Sequence, residues 1–408
     1  MNYSKISIVF VLQILVLTVL LQGCSIPGRL PAVPENEVVQ AEIPGMPGIR
    51  YTIGGVFAKG GNELVMKQFM LDAKESVASD LAYRAKMRLQ GPLPPVSYLA
   101  ISGGGDDGAY GAGMLCGWSA AGTRPEFRLV TGISTGALIA PFAFLGSEYD
   151  AKLKDVYTNI SSKDILEARG PLAAVLNDGL ADNKPLWQLL QKHITAEMLH
   201  DVAEEHKKGR VLLVASTNLD SRRPVIWNMT KIAASGNPQA LDLFRKLMMT
   251  SAAIPGAFPP SMIDVVVDGK KYQEMHVDGG AVSQVFVYPP SFKLKENAHK
   301  LGIDRERKLY VIRNARLDTG WSEVERRTLI IAGKAISTLI SNQGVGDLYR
   351  IYLNAQRDGL DYNLAFIPPA FNAPHKEDFD TDYMRQLFQA GYDAAVKGYP
   401  WAKTPPGF

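Results

Sequence analysis

Two short apolar runs, each broken by glycine and each leading into a helix-like pattern, constrain this chain more than any other feature. The first is VSYLAIS, Val96 to Ser102, followed at once by GGGDDGAYGAG. The second is FRLVTGIS, Phe127 to Ser134, followed by TGALIAPFAFLG. Strand, glycine turn and helix, repeated, is the rhythm of a parallel α/β sheet. Further strands are expected within 210–220, 224–229, 308–314 and 362–368, and on either side of Asp268-Gly269, a dipeptide that signals a hairpin. The expected fold is α/β: a three-layer α/β/α domain with a mostly parallel, doubly wound central sheet, its site at the C-terminal ends of the strands.

The glycine turns carry the candidate chemistry. Ser134 lies in Gly132-Ile133-Ser134-Thr135-Gly136, a G-x-S-x-G pattern between a predicted strand and a predicted helix. A hydrolytic serine needs an exposed, strained position, a base within reach and donors for an oxyanion. Such a turn supplies the first, and the flanking glycines remove side chains that would collide there. An ordinary βα turn is the alternative for the pentapeptide alone. Gly103, Gly104 and Gly105, directly after a predicted strand, offer a row of unobstructed backbone N–H groups near a helix start, which suits an anion or an oxyanion. Their spacing is neither that of a dinucleotide fingerprint nor that of a P-loop, and a close-packed turn without function is the remaining alternative. Asp278-Gly279-Gly280, after a strand-like run, can present a carboxylate at the sheet edge, although a D-G-G triplet by itself is usually a plain turn.

Taken in order, Gly-Gly-Gly-x-x-Gly, then G-x-S-x-G about thirty residues on, then SAAIPGAFPP (Ser251 to Pro260), then D-G-G resemble the patatin-like phospholipase family. The resemblance runs from about Val96 to Tyr288. It implies a lipid acyl hydrolase acting through an acyl-enzyme, with Ser134 as nucleophile, Asp278 as its partner in a Ser–Asp dyad, and Gly103, Gly104 and Gly105 as the oxyanion hole. The family usually has Lys or Arg just before the last glycine of the oxyanion loop, whereas this chain has Asp107 beside Asp106. Either these carboxylates face solvent or the substrate is less anionic. An acyltransferase using the same dyad and a non-catalytic lipid-binding or scaffold lipoprotein are the alternatives. His276, two residues before Asp278 and so on the same side of a strand, is an alternative base or a supporting partner. No cluster has metal-ligand spacing, and no cofactor motif is present.

At the N-terminus, Lys5 precedes an apolar stretch from Ile6 to Leu21 that ends in Leu21-Gln22-Gly23-Cys24. This suits a secretory signal and resembles the lipobox of bacterial lipoproteins, in which cleavage precedes a cysteine that receives a diacylglyceryl group. An uncleaved N-terminal anchor is the alternative. Lipidated Cys24 would hold the protein in the cell envelope beside its membrane lipid substrate. Ser25 in place of Asp implies, by the same resemblance, the outer membrane of a Gram-negative bacterium. Cys116 is then left without a partner and falls in an apolar helical pattern as a buried thiol. Net charge is +3 with no basic cluster, so a nucleic-acid partner is not expected. The expected organisation is a signal peptide at 1–23 and a Pro- and Gly-rich tether with a helical extension at 24–95. An acyl hydrolase domain follows at 96–290, and 291–408 pack on the same domain.

Overall fold

The computed structural model describes residues 28–53, 61–170, 178–318, 320–321 and 323–408. The expected signal segment and Cys24 lie outside these residues. Among the described residues nine strands form one mixed sheet: β1 (Arg50–Thr52), β2 (Val96–Ile101), β3 (Phe127–Gly132), β6 (Val211–Asn218), β7 (Arg223–Asn228), β8 (Ser261–Val267), β9 (Lys270–Asp278), β10 (Arg307–Arg313) and β11 (Asp361–Phe366). β4 (Glu167–Ala168) and β5 (Ala181–Asp182) pair separately. The centre, β6-β3-β2-β10-β11, is parallel throughout. Its strands are covered on both faces, which is why they read as apolar runs and not as alternation. β7 adds to β6 antiparallel and β1 to β7, while β8 and β9 form the hairpin turned by Asp268 and Gly269, both at positive φ.

One register explains how the site is assembled. β3 occupies the slot beside β6 as far as Gly132, opposite Val214, and then leaves the sheet. β9 enters the vacated slot from the other direction, with Asp278 opposite Ser216 and His276 opposite Asn218. The last residue of β9 therefore arrives two β6 positions beyond the end of β3, at the turn that holds Ser134.

Helices cover both faces. On one side Gly108–Ala120, Thr135–Leu145, Ala240–Ser251 and Thr381–Val396 enclose a core that includes Phe142, Phe144, Phe244 and Leu387. On the other, Thr328–Asp358 contributes Leu348, Ile351 and Ala355 against Leu309, Val311 and Leu364. The closing helix lies close enough to Gly108–Ala120 for backbones to meet. A Cβ at Gly113 would stand 2.0 Å from the Phe388 carbonyl oxygen, and one at Gly117 2.3 Å from that of Tyr392.

Composition misleads at 25–55, where proline and glycine predict a tether. Residues 28–53 are instead packed on the body. Val38, Ile43, Met46 and Ile49 are buried, β1 extends the sheet, and Glu42 exchanges both backbone hydrogen bonds with Val266. The glycines serve as turns between apolar residues, Gly45 and Gly48 at φ 74° and 71°. Arg50 reaches from β1 to Glu274 of β9 in a two-pronged ion pair at 2.8 and 3.1 Å, fully buried. Burial favours protonating Glu274, but Arg50 and His276 outweigh it and hold the carboxyl at about 2. Arg50→Met leaves that buried carboxylate without its guanidinium and with only His276 beside it, and is expected to destabilise the fold by about 3–5 kcal/mol in urea unfolding.

Candidate active site

Ser134 sits at the sharp exit of β3, with φ 54° and ψ −126°, immediately before the helix Thr135–Leu145. A positive φ is strained for a non-glycine residue and persists only where the surroundings enforce it. Two glycines make the turn possible. A Cβ at Gly132 would lie 2.3 Å from the Gly136 carbonyl oxygen, and one at Gly136 2.3 Å from that of Ile101. The Ser134 amide donates to Ser251 Oγ at 3.0 Å, and that hydroxyl donates to the Ala215 carbonyl at 2.7 Å. Ser251 opens the SAAIPGAFPP segment, so this part of the motif props the turn from below.

The β9 register brings Asp278 beside Ser134, whose hydroxyl favours the ionised carboxylate. Its Oδ1 also accepts the Gly280 amide at 2.6 Å. Asp278 is only 4 % exposed. Burial pushes its carboxyl up to about 7, and the Ser134 hydroxyl and the Gly280 amide offset this only in part. A carboxyl poised near neutrality beside a hydroxyl is the pairing that proton transfer requires.

The glycine loop divides its work. The Gly103 amide donates to the Gln284 carbonyl at 3.0 Å, so it is not available as an oxyanion donor, contrary to the expectation for the triplet. Gly103 is required for space instead, because a Cβ there would stand 3.1 Å from Ser134 Cβ. Gly104 precedes and Gly105 opens the short 3₁₀ turn Gly105–Asp107, where the first amides have no partner within the turn. Gly105, at φ 59°, has open space on its side-chain position. The loop is fixed by Asn314, at the end of β10, which the sequence did not single out. Its Nδ2 donates to the Ser102 carbonyl at 2.9 Å, its Oδ1 accepts the Gly111 amide at 3.0 Å, and its own amide donates to Ser102 Oγ at 2.8 Å.

Asp106 and Asp107 do not simply face solvent, since both are engaged by the C-terminal part of the chain. Asp106 Oδ2 meets His375 Nε2 at 2.7 Å and accepts the Phe379 amide at 2.8 Å. Tyr383 donates its hydroxyl to Asp107 Oδ1 at 2.6 Å. Burial raises the Asp107 carboxyl to about 6, against the Tyr383 hydrogen bond. His276 shares the side of β9 that the strand period implies, yet both its nitrogens are occupied elsewhere: Nδ1 with Ser216 Oγ and Nε2 with Glu274 Oε2, each at 2.9 Å. Burial pulls its pKa down against Glu274, and with both nitrogens engaged it offers none to Ser134. Among the described residues, no three His, Cys, Asp or Glu side chains gather as metal ligands would. Cys116 is buried, and burial pushes its thiol up to about 12.

Beside the dyad lies a cavity of about 640 Å³. Its wall includes Ile133 and Gly279, the sequence neighbours of Ser134 and Asp278, together with Ala215, Val282, Phe286 and Leu309.

A mixed sheet that brings a strained serine, a buried carboxyl and a glycine loop together defines an α/β protein with a hydrolase-like site. The patatin-like phospholipase family model matches residues 99–290, so this stretch carries a patatin-like phospholipase domain. Comparison with curated proteins finds no match. Among solved structures the chain is similar to VipD from Legionella pneumophila, at 12% identity and TM-score 0.37, over 75% of this chain and 66% of that one. It is similar also to human GIVD cytosolic phospholipase A2, at 10% identity and TM-score 0.37, over 81% and 67%. A third is full-length ExoU from the type III secretion system of Pseudomonas aeruginosa, in complex with SpcU, at 13% identity and TM-score 0.26, over 75% and 52%. The chain spans about two thirds of the first two proteins and about half of the third.

Proposed function

We propose that the protein hydrolyses acyl esters of membrane lipids, with Ser134 as nucleophile and Asp278 as its base. The observation that carries this reading is the buried Asp278 carboxyl beside a serine held at positive φ. Ser134 Oγ attacks the ester carbonyl carbon as its proton passes to Asp278. The resulting oxyanion is received by the amides of Gly104 and Gly105. Collapse breaks the ester C–O bond, and the departing alkoxide takes the proton from Asp278. Water then attacks the acyl-enzyme, giving a proton to Asp278, and Ser134 recovers its proton as the fatty acid leaves. The apolar cavity beside the dyad has room for an acyl chain. Lipidation of Cys24 would keep the enzyme on the envelope membrane that supplies its substrate, and mass spectrometry of the mature chain tests this by an acylated Cys24 terminus.

Because Asp278 works in its ionised form, kcat/KM is expected to rise with pH through about 7 and to level off above it. A flat profile between pH 5 and about 9 would contradict that assignment. A panel of phospholipids and neutral esters, supplied to wild type and Ser134→Ala, tests the activity itself. Fatty acid release by wild type alone is the expected result, and equal release by both proteins overturns it. An added alcohol acceptor separates hydrolysis from acyl transfer.

A further inference from the structure

The helix Thr328–Asp358 has two halves of opposite character. From Gly344 onward it is a wall of the body, with Leu348, Ile351 and Ala355 buried. Asp347 there accepts the Gln284 amide at 2.6 Å, below the loop that follows Asp278. Residues 330–339 are exposed along their whole length. Leu339 is 70% exposed, Ile331 and Ile336 are each 50% exposed, and Trp321, just before the helix, is 90% exposed. Exposed apolar residues scattered singly are unremarkable, but a concentration on one segment marks an interaction surface.

The pattern is that of an amphipathic helix. Ala332, Ala335, Ile336 and Leu339 follow the i, i+3, i+4, i+7 spacing of one face, with Ser337 and Ser341 on the opposite side. The stretch 328–343, TLIIAGKAISTLISNQ, contains no acid and a single charge, Lys334. Its position is tied to the catalytic end of the sheet. Gln343 donates its side-chain amide to the Val282 carbonyl, four residues beyond Asp278. Arg313, the last residue of β10, donates to the Ser341 carbonyl at 3.2 Å. No helix among the described residues is long and apolar enough to cross a membrane.

We infer that helix residues 330–341, together with Trp321, form an interfacial anchor that lays the catalytic end of the molecule on a phospholipid bilayer. An apolar face with a polar back, without the length or apolarity to span, lies in the headgroup boundary. A bilayer fits the face better than a protein does: residues 330–339 are exposed throughout, and the stretch 328–343 carries Lys334 and no acid, which suits an anionic lipid surface. The apolar stretch 6–21 is an unsuitable cover, because the lipobox reading removes it from the mature protein. An exposed indole seven residues ahead of such a helix suits the lipid–water boundary. The inference rests on the proposed activity only in that the anchored end would meet its substrate there.

Full-length Ser134→Ala, which leaves the lipid intact, should be mixed with phosphatidylcholine–phosphatidylglycerol vesicles carrying brominated acyl chains. The expected result is quenching of tryptophan fluorescence, with a component that disappears in the added Trp321→Phe variant. In the Ser134-bearing chain, Leu339→Asp should slow vesicle hydrolysis by about ten-fold or more. Its rate on a dissolved short-chain ester should stay within about two-fold of wild type, as for an exposed substitution away from the dyad. Quenching that is the same with and without Trp321, or vesicle hydrolysis by Leu339→Asp at the wild-type rate, overturns the inference. So does a dimer that Leu339→Asp dissociates, since the face would then be covered by a second copy. If wild type hydrolyses no ester at all, the proposed activity fails, while the quenching arm still decides the anchor.

Discussion

Ser134→Ala is expected to lower lipid ester hydrolysis by about four orders of magnitude or more, and Asp278→Asn to do nearly the same. The first removes the oxygen proposed to form the acyl bond. The second keeps the shape of the side chain but removes the group that takes the proton. Loss of activity alone could mean loss of fold, and here the linkage has a sign that separates the two. Asp278 has its carboxyl raised from 3.8 to about 7 in the folded protein, mainly by burial. The stabilising contribution of the protonated form is complete below about pH 4 and is lost as pH rises through about 7. The carboxamide introduced by Asp278→Asn cannot ionise, so this variant should match wild type near pH 4 and exceed it in melting temperature above pH 7. The difference is on the order of a few kcal/mol. An inactive variant that is more stable at neutral pH cannot be explained by unfolding. Thermal melts from pH 4 to about 8 check this.

The second large effect is expected at the glycine loop, where the three glycines should respond differently. Gly104→Ala places a Cβ 2.0 Å from the Asn314 carbonyl oxygen, a backbone atom that cannot move aside without the end of β10. The loop must shift, and with it the amides that face the oxyanion. A loss of about 10²–10³ in kcat is expected, with little change in KM. Gly105→Ala meets nothing within 4 Å but must hold φ 59°, so it is strained without a collision and should cost about 1–2 kcal/mol. Gly103→Ala presses on Ser134 Cβ at 3.1 Å and should impair the nucleophile directly. Steady-state kinetics on one dissolved ester, with melts as controls, distinguishes the three.

What the sequence disclosed follows physical range. The Ser134 turn is local: its glycines are demanded by contacts within a few residues and with the neighbouring strand, so a short motif carries it. The strands of the parallel centre read correctly because burial on both faces writes them as apolar runs. The pairing of Ser134 with Asp278 joins residues about one hundred and forty apart, and no local pattern states it; motif order suggested it, and the departure of β3 from its slot beside β6 explains it. Asn314 was missed because its role depends on three contacts with Ser102 and Gly111, far away in the chain. The tether was misread since composition counts proline and glycine but not the sheet edge that awaits Val38, Ile43 and Ile49. Asp106 and Asp107 were legible as a departure, while their partners His375, Phe379 and Tyr383 were not.

The central claim is that Ser134 is a nucleophile activated by Asp278. The most direct measurement is the pH dependence of covalent labelling by a fluorophosphonate, with the modified residue located by peptide mass spectrometry. The account predicts a single adduct on Ser134, formed at a rate that rises through about pH 7, and almost no labelling of Asp278→Asn. An adduct on another residue, or labelling of Asp278→Asn at the wild-type rate, would contradict it.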